Sequence, residues 1–181
     1  MPLHHASLVI NGHAPSEQGE SDLVWQALAR KGHGTHEWTS GVPWLPWDGT
    51  RWSLVWFAGH CTIYRSCQRG SLEQRDGSRF LRLFTHEEAK LINTRVLVLS
   101  SCNTAGGPFA GEYAADWVIG HEDTVYFEDS LVFAARFVPM LLLYTPRSSY
   151  LSDTAIKDAF SEASHAVAPV DTGWHLQRGH K

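Results

Sequence analysis

The chain has little cysteine, little charge and no long apolar run. Three of its 181 residues are cysteines, Cys61, Cys67 and Cys102, an odd count at spacings that make no disulfide framework. No Cys-x-x-Cys pair occurs, and His86-Glu87 lacks the second histidine of a His-Glu-x-x-His zinc motif. There is no Gly-x-x-x-x-Gly-Lys phosphate loop and no Gly-x-Ser-x-Gly nucleophile turn. Gly32-x-Gly34 follows a helix-like segment and has no third glycine, so it is not a dinucleotide fingerprint. The longest apolar run, Leu131 to Tyr144, is 14 residues with Arg136 and Pro139 inside it, too short to cross a bilayer. No charged amino-terminal region precedes an apolar stretch, so no signal peptide is expected. Charged residues are 19% and the formal net charge is -4, which gives no bulk case for nucleic acid or an anionic membrane. These absences point to a reducing, cytoplasmic setting and to a chain with no cofactor and no metal.

What is present is core-forming material. Hydrophobic residues make up 43% and aromatics 12%, enough for one domain over residues 1–181. Ala6 to Ile10 reads as a buried strand closed by an Asn11-Gly12 turn. Ser21-Asp22 offers an N-cap for a helix over Leu23 to Arg30. His36 to Thr39 is a weak strand, and Gly41 to Gly49 is a loop dense in Pro, Gly and Trp. Trp52 to Ala58 and Val96 to Leu99 are strong strands; Asp116 to Ile119 is a third. The polar stretch Thr62 to Ser78 reads as irregular and mobile. Thr85 and Glu88 form a capping box for a helix to Ile92. Phe127 to Leu143 is a long apolar helix with a kink at Pro139, and Ser152 or Asp153 caps a last helix to about Val167. The tail from Pro169 shows no pattern. Apolar strands alternating with helices predict an α/β fold with a mostly parallel sheet, working residues lying past the carboxyl ends of strands.

Two strands run into reactive side chains. Trp52 to Ala58 leads to Gly59-His60, and Val96 to Leu99 leads to Ser100-Ser101-Cys102. On neighbouring parallel strands, His60 and Cys102 would share one edge of the sheet. An imidazole beside a thiol can generate the thiolate and later protonate a leaving amine. The Gly106-Gly107 loop would let backbone N–H groups approach an oxyanion. Position alone also fits a bland arrangement, with Cys102 a small buried hydrophobe and His60 a satisfied loop histidine.

The surrounding letters resemble the CHAT branch of the caspase-like cysteine peptidases. Leu54 to His60 (LVWFAGH) is similar to that family's apolar strand ending in Gly-His-Gly, and Val96 to Gly107 (VLVLSSCNTAGG) to its strand followed by Ser, a small residue and Cys. The separation from His60 to Cys102 is 42 residues, against roughly 50 in caspases. Ala114 to Val125, the aromatic-rich helix and Thr154 to Ala163 also look like the family's closing half, so the likeness covers about Trp52 to Val167. The resemblance implies a caspase-like α/β/α sandwich and peptide hydrolysis through an acyl-enzyme. It implies His60 as base, Cys102 as nucleophile, and an oxyanion hole from the backbone N–H groups of Cys61 and Cys102. Cys61 stands where the family has glycine, and a positive φ there would strain it. Many relatives cut after a basic residue held by a carboxylate, which makes Glu122 and Asp123 candidates for substrate binding; a solvated loop explains them as well.

Rival sites are thinner. His33, His36, Cys61 and Cys67 are the candidates for a structural zinc. Trp44, Trp47 and Trp52 are spaced for core or loop packing before ligand binding. Two functional classes stay open. One is a cysteine endopeptidase with a protein or peptide substrate and a regulatory partner, a module of a bacterial signalling or defence system. The other is an interaction module that keeps the fold without turnover.

Overall fold

The structure is a computed structural model, and it describes residues 6–10, 15–31, 34–38, 51–64, 69–76, 79–145, 150–169 and 172–179. The Asn11-Gly12 turn, the Gly41 to Gly49 loop, His33 and Cys67 lie outside the described residues, as does the side chain of His36.

Five parallel strands and one antiparallel strand make the main sheet. They are β1 (Ala6–Ile10), β2 (Gly34–Trp38), β3 (Trp52–Ala58), β7 (Thr94–Ser100), β8 (Trp117–His121) and β9 (Trp174–Arg178), in the order β2-β1-β3-β7-β8-β9. Only β9 runs against its neighbour, pairing Trp117 with Arg178 and His121 with Trp174. Every residue of β7 and β8 is buried. That is why these strands read as unbroken apolar runs: both faces of a parallel strand are covered.

The two faces take alternate residues. Leu54, Trp56, Ala58, Val96, Val98 and Ile119 pack against α1 (Pro15–Arg30), α3 (Phe127–Leu143) and α4 (Asp153–Val167). Within that layer the rings of Phe133 and Trp174 stack at 4.0 Å and 5°. Val55, Phe57, Leu97, Leu99 and Val118 face the other way. Their cover is α2 (His86–Lys90), Phe109 of a short 3₁₀ turn, and a second, antiparallel sheet of β4 (His60–Tyr64), β5 (Arg69–Asp76) and β6 (Arg79–Thr85).

Over the described residues 62–64 and 69–76, that second sheet corrects the expectation of an irregular stretch over Thr62 to Ser78; residues 65–68 and 77–78 lie outside the described residues. Only Leu72 and Phe84 of the described residues here reach zero exposure among large apolar side chains. A bulge between Leu72 and Glu73 also breaks the alternation, so the sequence pattern of a half-buried strand is faint.

Helix boundaries follow local chemistry. The Thr85–Glu88 capping box forms, with the Glu88 N–H donating to Thr85 Oγ1 at 3.2 Å and the Thr85 N–H to Glu88 Oε2 at 2.7 Å. Ser152 Oγ accepts from the Ala155 N–H at 3.1 Å and starts α4. Helix α3 spans Phe127–Leu143 as predicted and continues through Pro139. The start of α1 differs: it is Pro15, not Leu23. Ser21 is no cap; its hydroxyl donates to the Ile10 carbonyl at 3.2 Å, tying the helix to β1. Proline at the first helical position, followed by an acidic first turn, is the signal that mattered. No helix among the described residues is long and apolar enough to cross a membrane.

Candidate active site

Strands β3 and β7 are parallel neighbours, with Ala58 opposite Ser100. The ladder is closed by the Gly59 N–H, which donates to the Ser100 carbonyl at 3.2 Å. Here the chain leaves the main sheet and enters β4. Gly59 is the only residue type that fits the bend: a Cβ would stand 2.5 Å from the Glu73 carbonyl oxygen and 2.7 Å from the Phe57 ring. The first residue of β4 is His60, opposite Glu73 of β5. Glu73 is held in turn by the Thr62 hydroxyl at 2.9 Å and the Ser71 hydroxyl at 2.6 Å.

Beyond β7 the chain makes a sharp turn that presents Cys102. Asn103 has φ 56, the one non-glycine in the left-handed region among the described residues, and asparagine tolerates it better than most. Its N–H donates to the Asp123 carbonyl at 3.1 Å. Thr104 locks the turn from below, its Oγ1 lying 2.9 Å from both the Leu99 and Ser101 carbonyls and accepting from the His121 N–H at 3.1 Å. Cys102 is half-buried, and its Sγ accepts from the Val125 N–H at 3.3 Å.

His60 and Cys102 line one cleft of about 140 Å³, together with Glu17 and Glu20 of α1, Ser100 and Ser130. The ring of His60 is anchored: its Nε2 lies 3.1 Å from Glu17 Oε1, and Glu17 is only 5% exposed. A neutral ring therefore carries its proton on Nε2 and bonds Glu17 with it. Glu20 Oε1 accepts from the Trp56 indole N–H at 2.8 Å, and its Oε2 lies 2.8 Å from the Ser130 hydroxyl oxygen. Burial pushes the Glu20 carboxyl up to about 7, against the lowering effect of its hydrogen bonds with Ser100, Ser130 and Trp56.

Neither carboxylate was readable as part of the site. Once α1 is taken to start at Leu23, positions 17 and 20 fall in a loop. Acidic residues at the start of a helix also read as complements to its dipole.

The other candidates fall elsewhere. Glu122 is exposed and pairs with His175 Nε2 at 2.9 Å. Asp123 accepts from the Thr124 N–H at 2.8 Å. Neither is among the residues lining the cleft; both sit on the loop that carries Val125 to it. Cys61 lies in extended β4 and not at a positive φ, so the strain that a left-handed position would impose is not there. Its thiol packs against the second core and burial pushes it up to about 12, with the Cys102 and Glu73 charges adding to the effect. Such a thiol is inert at neutral pH. Among the described residues no group of three or more His, Cys, Asp or Glu side chains could hold a metal ion.

Neither a scan of protein families nor a search of curated proteins finds a match. Among solved structures the chain is similar to the Arg specific cysteine proteinase gingipain R, at a TM-score of 0.61 and 11% identity over 98% of this chain. The chain has a caspase-like fold. It spans 46% of the length of that proteinase, and at this identity the likeness speaks for the architecture alone. The caspase-like sheet, mainly parallel and flanked by helices, is what sets β3 and β7 side by side.

Proposed function

We propose that the chain is a cysteine endopeptidase in which His60 and Cys102 act as a dyad steadied by Glu17. The observation that carries this reading is the convergence of His60 and Cys102 on one cleft, with His60 hydrogen-bonded to a buried carboxylate. With Nε2–H on Glu17, Nδ1 takes the thiol proton. The Cys102 sulfur attacks the scissile carbonyl carbon, and the negative charge passes to the carbonyl oxygen. Backbone N–H groups of Cys61 and Cys102 are the proposed donors to that oxyanion. Collapse breaks the C–N bond as imidazolium gives its proton to the leaving amine, which leaves a thioester on Cys102. Water, deprotonated by His60, attacks the thioester and releases the acid and the thiol. The Glu17 charge stabilises the imidazolium in both halves of the cycle.

The similar proteinase is described as Arg specific, and we extend a preference for basic side chains to this chain. Glu122 and Asp123 on the loop beside the cleft are the proposed recognition residues, with Glu17 inside it as the competing source of negative charge. Within the caspase-like group the motifs around His60 and Cys102 favour the CHAT branch, and with it we propose a role in bacterial signalling or defence with a regulatory partner; the cysteine spacing, which makes no disulfide framework, favours a cytoplasmic setting. Cleavage of arginine-ended and neutral peptides by wild type, Glu122→Ala and Asp123→Ala tests the loop. Loss of arginine preference in either variant supports it, and unchanged ratios in both remove it.

One observation favours the second reading, an interaction module without turnover. The cleft holds about 140 Å³, below the roughly 300–1,000 Å³ of ordinary ligand pockets. Turnover of a mixed peptide library by wild type, Cys102→Ala and His60→Ala decides between them. A peptidase loses its activity in both variants; no wild-type turnover, with or without candidate activators, favours the module.

A further inference from the structure

Two carboxyl groups of α1 stand one turn apart in the cleft, with different partners. Glu17 faces His60. Glu20 is 3% exposed and meets neutral groups: the Trp56 indole N–H, 2.8 Å from Oε1, the Ser130 hydroxyl, 2.8 Å from Oε2, and the Ser100 hydroxyl. Ser130 has one hydroxyl proton, yet its Oγ also lies 2.9 Å from the Phe127 carbonyl, which can only accept. A proton on Glu20 Oε2 resolves the competition. Glu20 then donates to Ser130, Ser130 donates to Phe127, and Oε1 accepts from Trp56. An ionised Glu20 would take the Ser130 proton, break the Phe127 bond, and stand as a second buried anion beside Glu17.

We propose that Glu20 is a positioning residue which, as a neutral acid, ties α1 to β3 and α3 and leaves Glu17 as the one cleft carboxylate charged against His60. Trp56 lies on β3 and Ser130 on α3, so the single side chain of Glu20 crosslinks the three elements around the dyad. The charged and titratable groups around it are Glu17 on its own helix, His60 at the start of β4, and Cys102 after β7. On β5, Glu73 faces His60 from the opposite strand. On α3, Glu128 is exposed and Asp129 half-buried. Burial, aided by the Glu17 charge, keeps the Glu20 proton on until about pH 7. Above that pH a second negative charge enters the cleft, competes with Glu17 for His60, and opposes formation of the Cys102 thiolate.

The inference rests on the peptidase reading only for the meaning of the dyad, and its test needs no turnover. The first measurement follows the Trp56 indole ¹⁵N–¹H signal from about pH 5 to 9, assigned with Trp56→Phe. The signal reports the acceptor it bonds. The second is the rate of Cys102 alkylation by iodoacetamide over the same range. In wild type both carry a step near pH 7, and Glu20→Gln, which keeps the size and the acceptor oxygen, removes it from both. A Trp56 signal without the step, or a step that survives Glu20→Gln, overturns the protonation assignment. Superimposable alkylation profiles overturn the positioning role, as does a Glu20→Gln variant that loses only arginine-ended substrates, because Glu20 would then be a substrate-binding group. A protein showing both steps but cutting no peptide contradicts the peptidase reading and leaves this one standing.

Discussion

His60 donates through Nε2 to a carboxylate on a different element, Glu17 of α1, at 3.1 Å. In a neutral ring that bond makes Nδ1 the basic nitrogen, and in the proposed mechanism it sets a carboxylate beside the imidazolium. Glu17→Gln keeps an acceptor oxygen and removes the charge. The variant should fold normally and lose about 10²-fold in kcat, with KM little changed, because the lost interaction is made mainly in the transition state. Steady-state kinetics on an arginine-ended peptide check this; an unchanged kcat would separate Glu17 from catalysis.

Cys61→Gly completes the Gly-His-Gly pattern that Leu54 to His60 resembles. Since Cys61 is extended and packed on the second core, the change relieves no strain. It should leave kcat unchanged and lower stability by about 1 kcal/mol, from lost packing and the greater chain entropy of glycine. Urea unfolding alongside turnover separates the two effects. A rise in kcat would mean that the side chain blocks the substrate.

Glu20 ties stability to pH with a definite sign. Its carboxyl is raised from 4.5 to about 7, so the unfolded chain gives up that proton at a lower pH than the folded one. Stability from this group is complete below about pH 4.5, falls as pH rises, and is lost above about pH 7. Glu20→Gln has no such group. Urea midpoints of wild type and variant should diverge in the variant's favour between these limits. A constant difference at every pH would contradict the assignment.

At the far end of the sheet from the cleft, Arg95 is buried among acceptors. It bonds Asp116 Oδ2 at 2.7 Å, the Leu151 carbonyl at 2.9 Å, and Asp153. Asp116 also pairs with Arg51 at 2.6 Å. Removing Arg95 strands the Leu151 carbonyl but leaves Asp116 with Arg51 and Asp153 with Arg178, so Arg95→Met should destabilise by about 1–2 kcal/mol while leaving Cys102 reactivity per folded molecule unchanged. Thermal unfolding together with alkylation of the folded fraction measures both.

What the sequence showed depended on how many neighbours a residue needs to reveal itself. Strand β7 and helices α3 and α4 were legible because their burial is written as runs, periods and caps: VLVL, the apolar stripe from Phe127, and Ser152 before its helix. The positions of His60 and Cys102 followed from the strands that lead to them. The small sheet was hidden, since polar Ser71, Glu73 and Gln74 are buried in it beside Leu72 and Phe84, which blurs the alternation of a half-buried strand. Strand β9 was hidden too, an edge strand with Trp174 buried and His175 and Arg178 exposed. Glu17 and Glu20 were out of reach because their roles depend on partners at His60, Trp56 and Ser130, up to 110 residues away in the chain.

A Cys102 nucleophile activated by His60 is open to direct chemical labelling. An arginine-ended peptidyl acyloxymethyl ketone, followed by intact and peptide-level mass spectrometry, tests it most directly. One adduct should form, on Cys102, with none on Cys61, and labelling should fall at least about 10²-fold in His60→Ala. Labelling of Cys102 at equal rates in wild type and His60→Ala, or no labelling of folded wild type, would contradict it.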